Sequence, residues 1–544
     1  MRALHCLWLI LFLPALLTAD EPRKPAIAPP TTAVISGHVV GGNGEPMRRV
    51  TVALAAIKSG DAPDANAAAT STTTGDGGEF TFTGLGPARY RLLAERTGYV
   101  LGHLPRARAL IAVTSGEEVK DVVLHLVAVA AIGGSVLDGN GEPLAKAVVR
   151  LLQYRYVSGT RRLAVVRDVL SDERGEFRLG DLDPGPYYLV ASYRSSISDV
   201  VCPPEYYPGV SSFDLAEPIR LRPADLFPVK FVLLPGKPVR VRGRVSGAIG
   251  SAVEVTLAPR VSVPYAEPLQ GEYRDGSFEF KKVLPGSYTV VAIEHSAGET
   301  LEGRTTVQVE QSDLETVEVH LEPLHTLSQF QGYVNCDCPP PRPVPATTVS
   351  LSPAALLSED EMGSGGSGQS AQVDANGRFT MQIAGRGRYF VAVSGFPAGL
   401  EDAYLSYAQV GAVEVTRDGL QLPLEHGSSP IFVTVSAKGA RAEGVVVDSH
   451  DQPVPGAVVV AVPASELRQN PGLYRQTVSD QNGQFVLHGL APGDYDLYAW
   501  EDVPQGAYYD PDYLQNYAAL TQTLHATKEG RHQVILRLIP EDDR

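Results

Sequence analysis

Zinc hydrolysis needs a close His/Glu pair and a distant His, which together hold the metal and leave one position open for water. The chain has 12 histidines, but no His-x-x-Glu and no His-Glu-x-x-His. No Gly-x-Ser-x-Gly elbow occurs, and Cys202 has no nucleophile motif around it. Cys336-Asp337-Cys338 is half of a metal-binding pattern, yet no second Cys pair or His cluster lies near it in sequence. A local disulfide or free thiols in a Pro-rich loop fits these residues better. The turns Asp172-Glu173-Arg174-Gly175, Asp374-Ala375-Asn376-Gly377 and Asp480-Gln481-Asn482-Gly483 cluster oxygen ligands. They are too short to wrap calcium and lack its terminal Glu, so they read as hairpin turns. The remaining candidates are aromatic: Tyr206 and Tyr207 in one segment, Trp500, Tyr508, Tyr509 and Tyr513 in another. Aromatic faces on loops with nearby carboxylates suit sugar rings or protein hot spots. The same rings can instead close the open end of a β-sandwich.

The elements that position these residues repeat along the chain. A Gly stands two residues before a Phe, and a Tyr follows that Phe by ten, five times over. The copies are Gly78/Phe80/Tyr90, Gly175/Phe177/Tyr187, Gly276/Phe278/Tyr288, Gly377/Phe379/Tyr389 and Gly483/Phe485/Tyr495. Successive Phe residues lie 97, 101, 101 and 106 positions apart. Each Gly ends a turn that favours positive φ. The Phe and its i+2 neighbour then share one buried face of a strand, as in Glu79-Phe80-Thr81-Phe82. A tight turn with Pro or Gly follows, and the Tyr opens the next strand, where its hydroxyl is expected at a wet edge. Each unit begins on a Gly before a short β-branched strand (Gly37, Gly134, Gly243, Gly332, Gly444) and closes on an alternating strand such as Val122–Leu126. Roughly seven short strands in about 100 residues is the arithmetic of a β-sandwich.

The pattern Gly-x-Val, Gly-x-Pro-Leu-x-x-Ala-x-Val, Asp-x-x-Gly-x-Phe, Leu-x-Pro-Gly-x-Tyr resembles the carboxypeptidase regulatory-like domain. The likeness implies a transthyretin-like (prealbumin-like) sandwich, similar also to starch-binding-like and collagen-adhesin B-type folds. Units two and five match the pattern well and unit one nearly so. Unit three lacks the first Gly-Asn-Gly turn, and unit four has Cys336-Asp337-Cys338-Pro339-Pro340-Pro341 in its place. The regulatory-type module stands here without the motifs of a catalytic domain.

The expected fold is all-β: five tandem antiparallel β-sandwich (prealbumin/Ig-like) domains in an elongated array. Their expected bounds are 32–127, 128–236, 237–324, 325–438 and 439–544. Residues 1–19 read as a secretory signal, with Arg2, the apolar run Leu7–Leu17 and small residues before Asp20; retention as an anchor is the alternative. Residues 20–31 are Pro-rich. The run Gly363–Ser370 is expected as a mobile loop inside unit four. A formal charge of −16 argues against nucleic acid. Short junctions predict a rod in which each unit touches mainly its neighbours, so no site is expected between units one and five. The expected function is an exported, non-catalytic scaffold or interaction protein of the bacterial envelope, periplasmic or at the cell surface. It would have no cofactor and no membrane span in the mature chain, and its partner would be an envelope protein or polysaccharide. The rivals are a carbohydrate-binding protein using the aromatic loops, and an accessory subunit of a separate envelope enzyme or transporter.

Overall fold

A computed structural model describes residues 32–57, 70–101, 110–157, 159–250, 252–260, 268–296, 299–323, 328–338, 342–354, 368–383, 387–397, 399–422, 424 and 428–540. The expected signal and Pro-rich segment, and most of the Gly363–Ser370 run, lie outside these residues. Ser370 itself lies in the strand Gln369–Gln372.

The chain is all-β, built from tandem sandwiches that share one plan. In each, a first strand lies between a strand carrying the repeat Phe and the closing strand. In the first module these are Ala33–Val40, Glu79–Leu85 and Glu118–Ala128. The equivalent first strands are Ala130–Asp138, Val239–Ser246, Ser328–Cys336 and Ala440–Val447. The Phe strand pairs antiparallel with the first strand, and the closing strand pairs parallel with it. A second sheet holds the Tyr strand. Between the two sheets lies an apolar core, one per module. The fifth module differs in that its sheets join through parallel pairing of Ala499 with Leu538 and Trp500 with Ile539.

The repeated residues explain this plan. Each first-strand glycine sits opposite the repeat Phe: Gly37–Phe80, Gly134–Phe177, Gly243–Phe278, Gly332–Phe379 and Gly444–Phe485. On its other side the closing strand comes unusually near. A Cβ added at these glycines would stand 1.7–2.2 Å from the carbonyl oxygen of Val122, Val229, Val317, Ile431 or Val534. No side chain fits there, so glycine is required by approach rather than by φ. The turn glycines are the other kind: Gly78, Gly175, Gly276, Gly377 and Gly483 all have φ between 72° and 79°. The Phe and Tyr rings are buried in every module. The Tyr hydroxyl is not at a wet edge but tied inward. Tyr90, Tyr187 and Tyr288 donate to the carbonyls of Gly86, Asp183 and Leu284, at 3.0, 3.0 and 2.8 Å. Tyr495 hydrogen-bonds the Ala491 backbone in the same way. Each bond reaches four residues back, so it staples the tight turn to the strand it opens.

The Asp turns are braced by their own side chains. Asp172 Oδ1 accepts from the Arg174 and Glu176 amides, and Asp374 and Asp480 repeat the arrangement. Modules one, two and five add a buried hydroxyl that the sequence reading overlooked. Thr74, Ser171 and Ser479 each accept a backbone amide and donate to a carbonyl across the sheet. Cys336 and Cys338 form a disulfide, while Cys202 is a buried free thiol. Burial first, and the nearby Asp138 charge second, push the Cys202 thiol up to about 11.

The elongated end-to-end arrangement requires correction. Module five touches module one, module two and module four. Gln481 clasps Ala112, accepting its amide at 3.1 Å and donating to its carbonyl at 2.9 Å. Leu110 and Asp480 form a parallel bridge beside this clasp. Tyr513 meets Tyr156 of module two edge-on, with ring centroids 5.7 Å apart. Asp402 of module four binds Arg441 and His488 of module five, each at 2.7 Å. The chain folds back because side chains outside the shared frame supply these contacts.

Gly444→Ala should destabilise module five by about 3 kcal/mol, because the new Cβ would force the closing strand away. Gly42→Ala, with nothing within 4 Å of the added atom, should cost little. Amide hydrogen exchange across the fifth module would measure the first, and thermal melting the second.

Candidate functional site

The tyrosine-rich segment after the Tyr strand of module five folds as a strap over the outer face of a sheet. It contains a short turn at Ala507–Tyr509 and a helix at Pro511–Gln515. Asp510 caps the helix by accepting the Asp512 amide at 2.9 Å, and Pro511 starts it. Beneath the strap, Trp500, Tyr508, Tyr513 and Tyr517 pack with Val458, Val460 and Val462 into a second apolar cluster. Trp500 is 1% exposed and stacks on Tyr498 at 4.9 Å. Tyr509 is half-buried, and its Cβ comes within 2.7 Å of where a side chain on Gly159 would start.

Module two repeats this on a smaller scale. Tyr206 is buried with Leu152, Leu163 and Val190 under Phe213, and half-buried Tyr207 packs on Phe227. The expected aromatic loops therefore do not offer ring faces for a sugar at Tyr206, Trp500, Tyr508 or Tyr513. Their surfaces are taken up by the sheet below and the strap above. Period-two alternation could not reveal this, because the outer sheet face of module five is apolar as well: Val458–Pro463 is buried at every position.

The contact between modules one and five creates a cleft of about 650 Å³. Arg89 and Ala112 line it from one side, and Asp480, Gln484, Val445 and Ile535 from the other. This is the inter-module site that the sequence reading did not expect. Burial pushes the Asp480 carboxyl up, against the two turn amides that stabilise its charge. At the cleft edge, His488 Nδ1 is held by Asp402. Burial opposes ionisation of Asp402, but hydrogen bonds from Arg441 and His488 outweigh it and hold the carboxyl below its ordinary value. An Asp–His pair is half of a relay for activating a nucleophile. The cleft lining contains no Ser, Thr or Cys to complete it. Among the described residues, no group of three or more His, Cys, Asp or Glu could hold a metal ion. What the cleft offers is recognition: charged and amide groups on an apolar floor.

Three stretches of the chain match the model of the carboxypeptidase regulatory-like domain: residues 34–125, 131–201 and 441–509. Modules one, two and five carry this regulatory-like pattern. They are the same modules in which one buried hydroxyl both accepts an amide and donates to a carbonyl; in module four the buried Thr347 hydroxyl donates to the equivalent carbonyl, that of Val344, at 2.9 Å. Solved structures to which the chain is similar include the Bacillus anthracis TIE protein, at 10% identity over 74% of this chain and 72% of that one, with a TM-score of 0.17. GBS52, the minor pilin of Streptococcus agalactiae, is 15% identical over 37% of this chain and 96% of that one, with a TM-score of 0.21. The shaft pilin SpaA of Lactobacillus rhamnosus GG is 15% identical over 38% and 97%, with a TM-score of 0.21. Superpositions this loose carry no argument about this chain. No curated protein matches the sequence.

Trp500→Ala should cost module five about 3–5 kcal/mol, since it empties the space between sheet and strap. Leu520→Ala, at a ring-free and 46% exposed position of the same strap, should cost under about 1 kcal/mol. Urea unfolding followed by circular dichroism separates the two. Equal, small effects would mean that the rings are not core.

Proposed function

We propose that this chain is an exported, non-catalytic, multi-module scaffold or interaction protein of the bacterial cell envelope. One observation carries the reading. The residues common to all modules are spent inside them, while contacts between modules use residues that are not shared: Gln481, Tyr156, Asp402 and Lys282. Such a design keeps the module constant and lets its exterior vary for contact. Export is supported by Arg2 and the apolar run Leu7–Leu17 before Leu17-Thr18-Ala19. Among the described residues no helix is long and apolar enough to cross a membrane. The non-catalytic reading is supported by the cleft, which pairs an Asp–His couple with no nucleophile in its lining. A second reading, polysaccharide binding, is favoured by an exposed ring pair on module four.

Cell fractionation tests the proposal. A tagged full chain should appear in the periplasm or at the surface, and a chain lacking residues 2–19 should stay in the cytoplasm. The purified full chain should show no turnover of peptide, ester or glycoside substrates above buffer. Cytoplasmic retention of the full chain contradicts export, and turnover that disappears in His488→Ala contradicts the non-catalytic reading.

A further inference from the structure

The residue after each first-strand glycine points out of the sandwich, beside a closing-strand neighbour at the same register. The five pairs are His38–Val123, Ser135–Lys230, Arg244–Glu318, Tyr333–Phe432 and Val445–Ile535. This position is thus one surface with five different chemistries. In module five, Val445 and Ile535 line the cleft against module one. In module three the face is charged, and Arg242 there pairs with Glu279 and Glu315. In module four the pair is two aromatic rings. Tyr333 is 39% exposed and Phe432 is 45% exposed, with ring planes 9° apart and centroids separated by 6.4 Å.

The surroundings of these rings say what would cover them. Six strands form this sheet: the four long neighbours Arg378–Ile383, Ser328–Cys336, Ser428–Ser436 and Tyr404–Val410, and the short strands Arg342–Pro343 and Val413–Glu414. The four long strands contain no Asp, Glu or Lys, in a chain with 62 acidic residues, and their one charged residue is Arg378; the short strands add Arg342 and the exposed Glu414, which Gln409 places in register with Phe432. The Arg378 guanidinium lies over the Tyr333 ring at 5.5 Å. Exposed Gln331, Asn335, Thr380 and Gln382 stand around the rings. Tyr407 is also exposed, and its hydroxyl donates to Gln409 Oε1 at 2.8 Å. Amides and hydroxyls both donate and accept, as sugar hydroxyls do. Aromatic faces take the apolar C–H face of a sugar ring. An apolar protein surface would bury these amides without partners, which costs free energy for each group left unsatisfied. An acidic glycan would meet the Glu414 carboxylate in the same register row as the rings.

We infer that the outer face of module four, centred on Tyr333 and Phe432, binds a neutral polysaccharide. This deepens the scaffold reading by giving one module a ligand class, and it rests on that reading only in that the glycan is held rather than cleaved. The test is affinity electrophoresis of the full chain through gels containing neutral polysaccharides (a β-glucan, glycogen, a galactomannan, a xylan), with alginate as the acidic control. At least one neutral polymer should retard the chain, and alginate should not. The double variant Tyr333→Ala/Phe432→Ala should lose at least tenfold in affinity with unchanged melting. Tyr333→Phe, which keeps the ring, should retain binding, and so should Arg244→Ala on the equivalent face of module three. Failure of every neutral polymer to retard the chain overturns the inference, as does equal retardation of the double variant. A double variant that loses a protein partner but no glycan also overturns it and assigns the face to protein. Release of oligosaccharides from the bound polymer would leave the binding site standing and contradict the non-catalytic reading instead.

Discussion

Every sandwich in this chain depends on one close approach, that of a closing-strand carbonyl to a first-strand glycine. The parallel pairing of first and closing strands brings the two ends of each module together in one sheet. At Gly37, Gly134, Gly243, Gly332 and Gly444 that pairing leaves less room than a single methyl group occupies. On the other side of the same glycine stands the repeat Phe, buried in the core. One residue type therefore sets two contacts, the parallel ladder and the seat of the largest core ring. The turn glycines and the Tyr-to-carbonyl bonds then fix where the flanking strands begin.

With the interior held constant, the exterior is free to differ. The register position after the first-strand glycine is polar in module two, ionic in module three, aromatic in module four and aliphatic in module five. Module five uses its faces most fully. One carries a tyrosine-rich strap and a second apolar cluster, and another meets module one. It also binds module four through Asp402, Arg441 and His488. The last module in sequence is thus a hub in space.

The sequence was legible where one residue has one physical reason to be there. Turn glycines after Asp or Asn, alternating Phe strands and the Tyr ten residues on all fall where the structure has them, even in modules three and four, which depart from the regulatory-like pattern. The tyrosines after the Tyr strands were not legible in this way. Aromatic rings suit a ligand platform and a core equally, and only the apolar outer face of Val458–Pro463 decides for the core. The Gln481 clasp was hidden because a turn residue beside Asn482 reads as solvent-exposed. Tyr333 and Phe432 each look unremarkable alone, about 100 residues apart in sequence, and only parallel register makes them neighbours.

Shared residues build the modules alike, while unshared residues fold the array back on itself. Small-angle X-ray scattering of the full chain tests this most directly. The expected maximum dimension is well below the roughly 150–200 Å of five sandwiches set end to end, and becomes longer when Gln481→Ala removes the clasp. A rod-like profile, the same with and without Gln481, would contradict it.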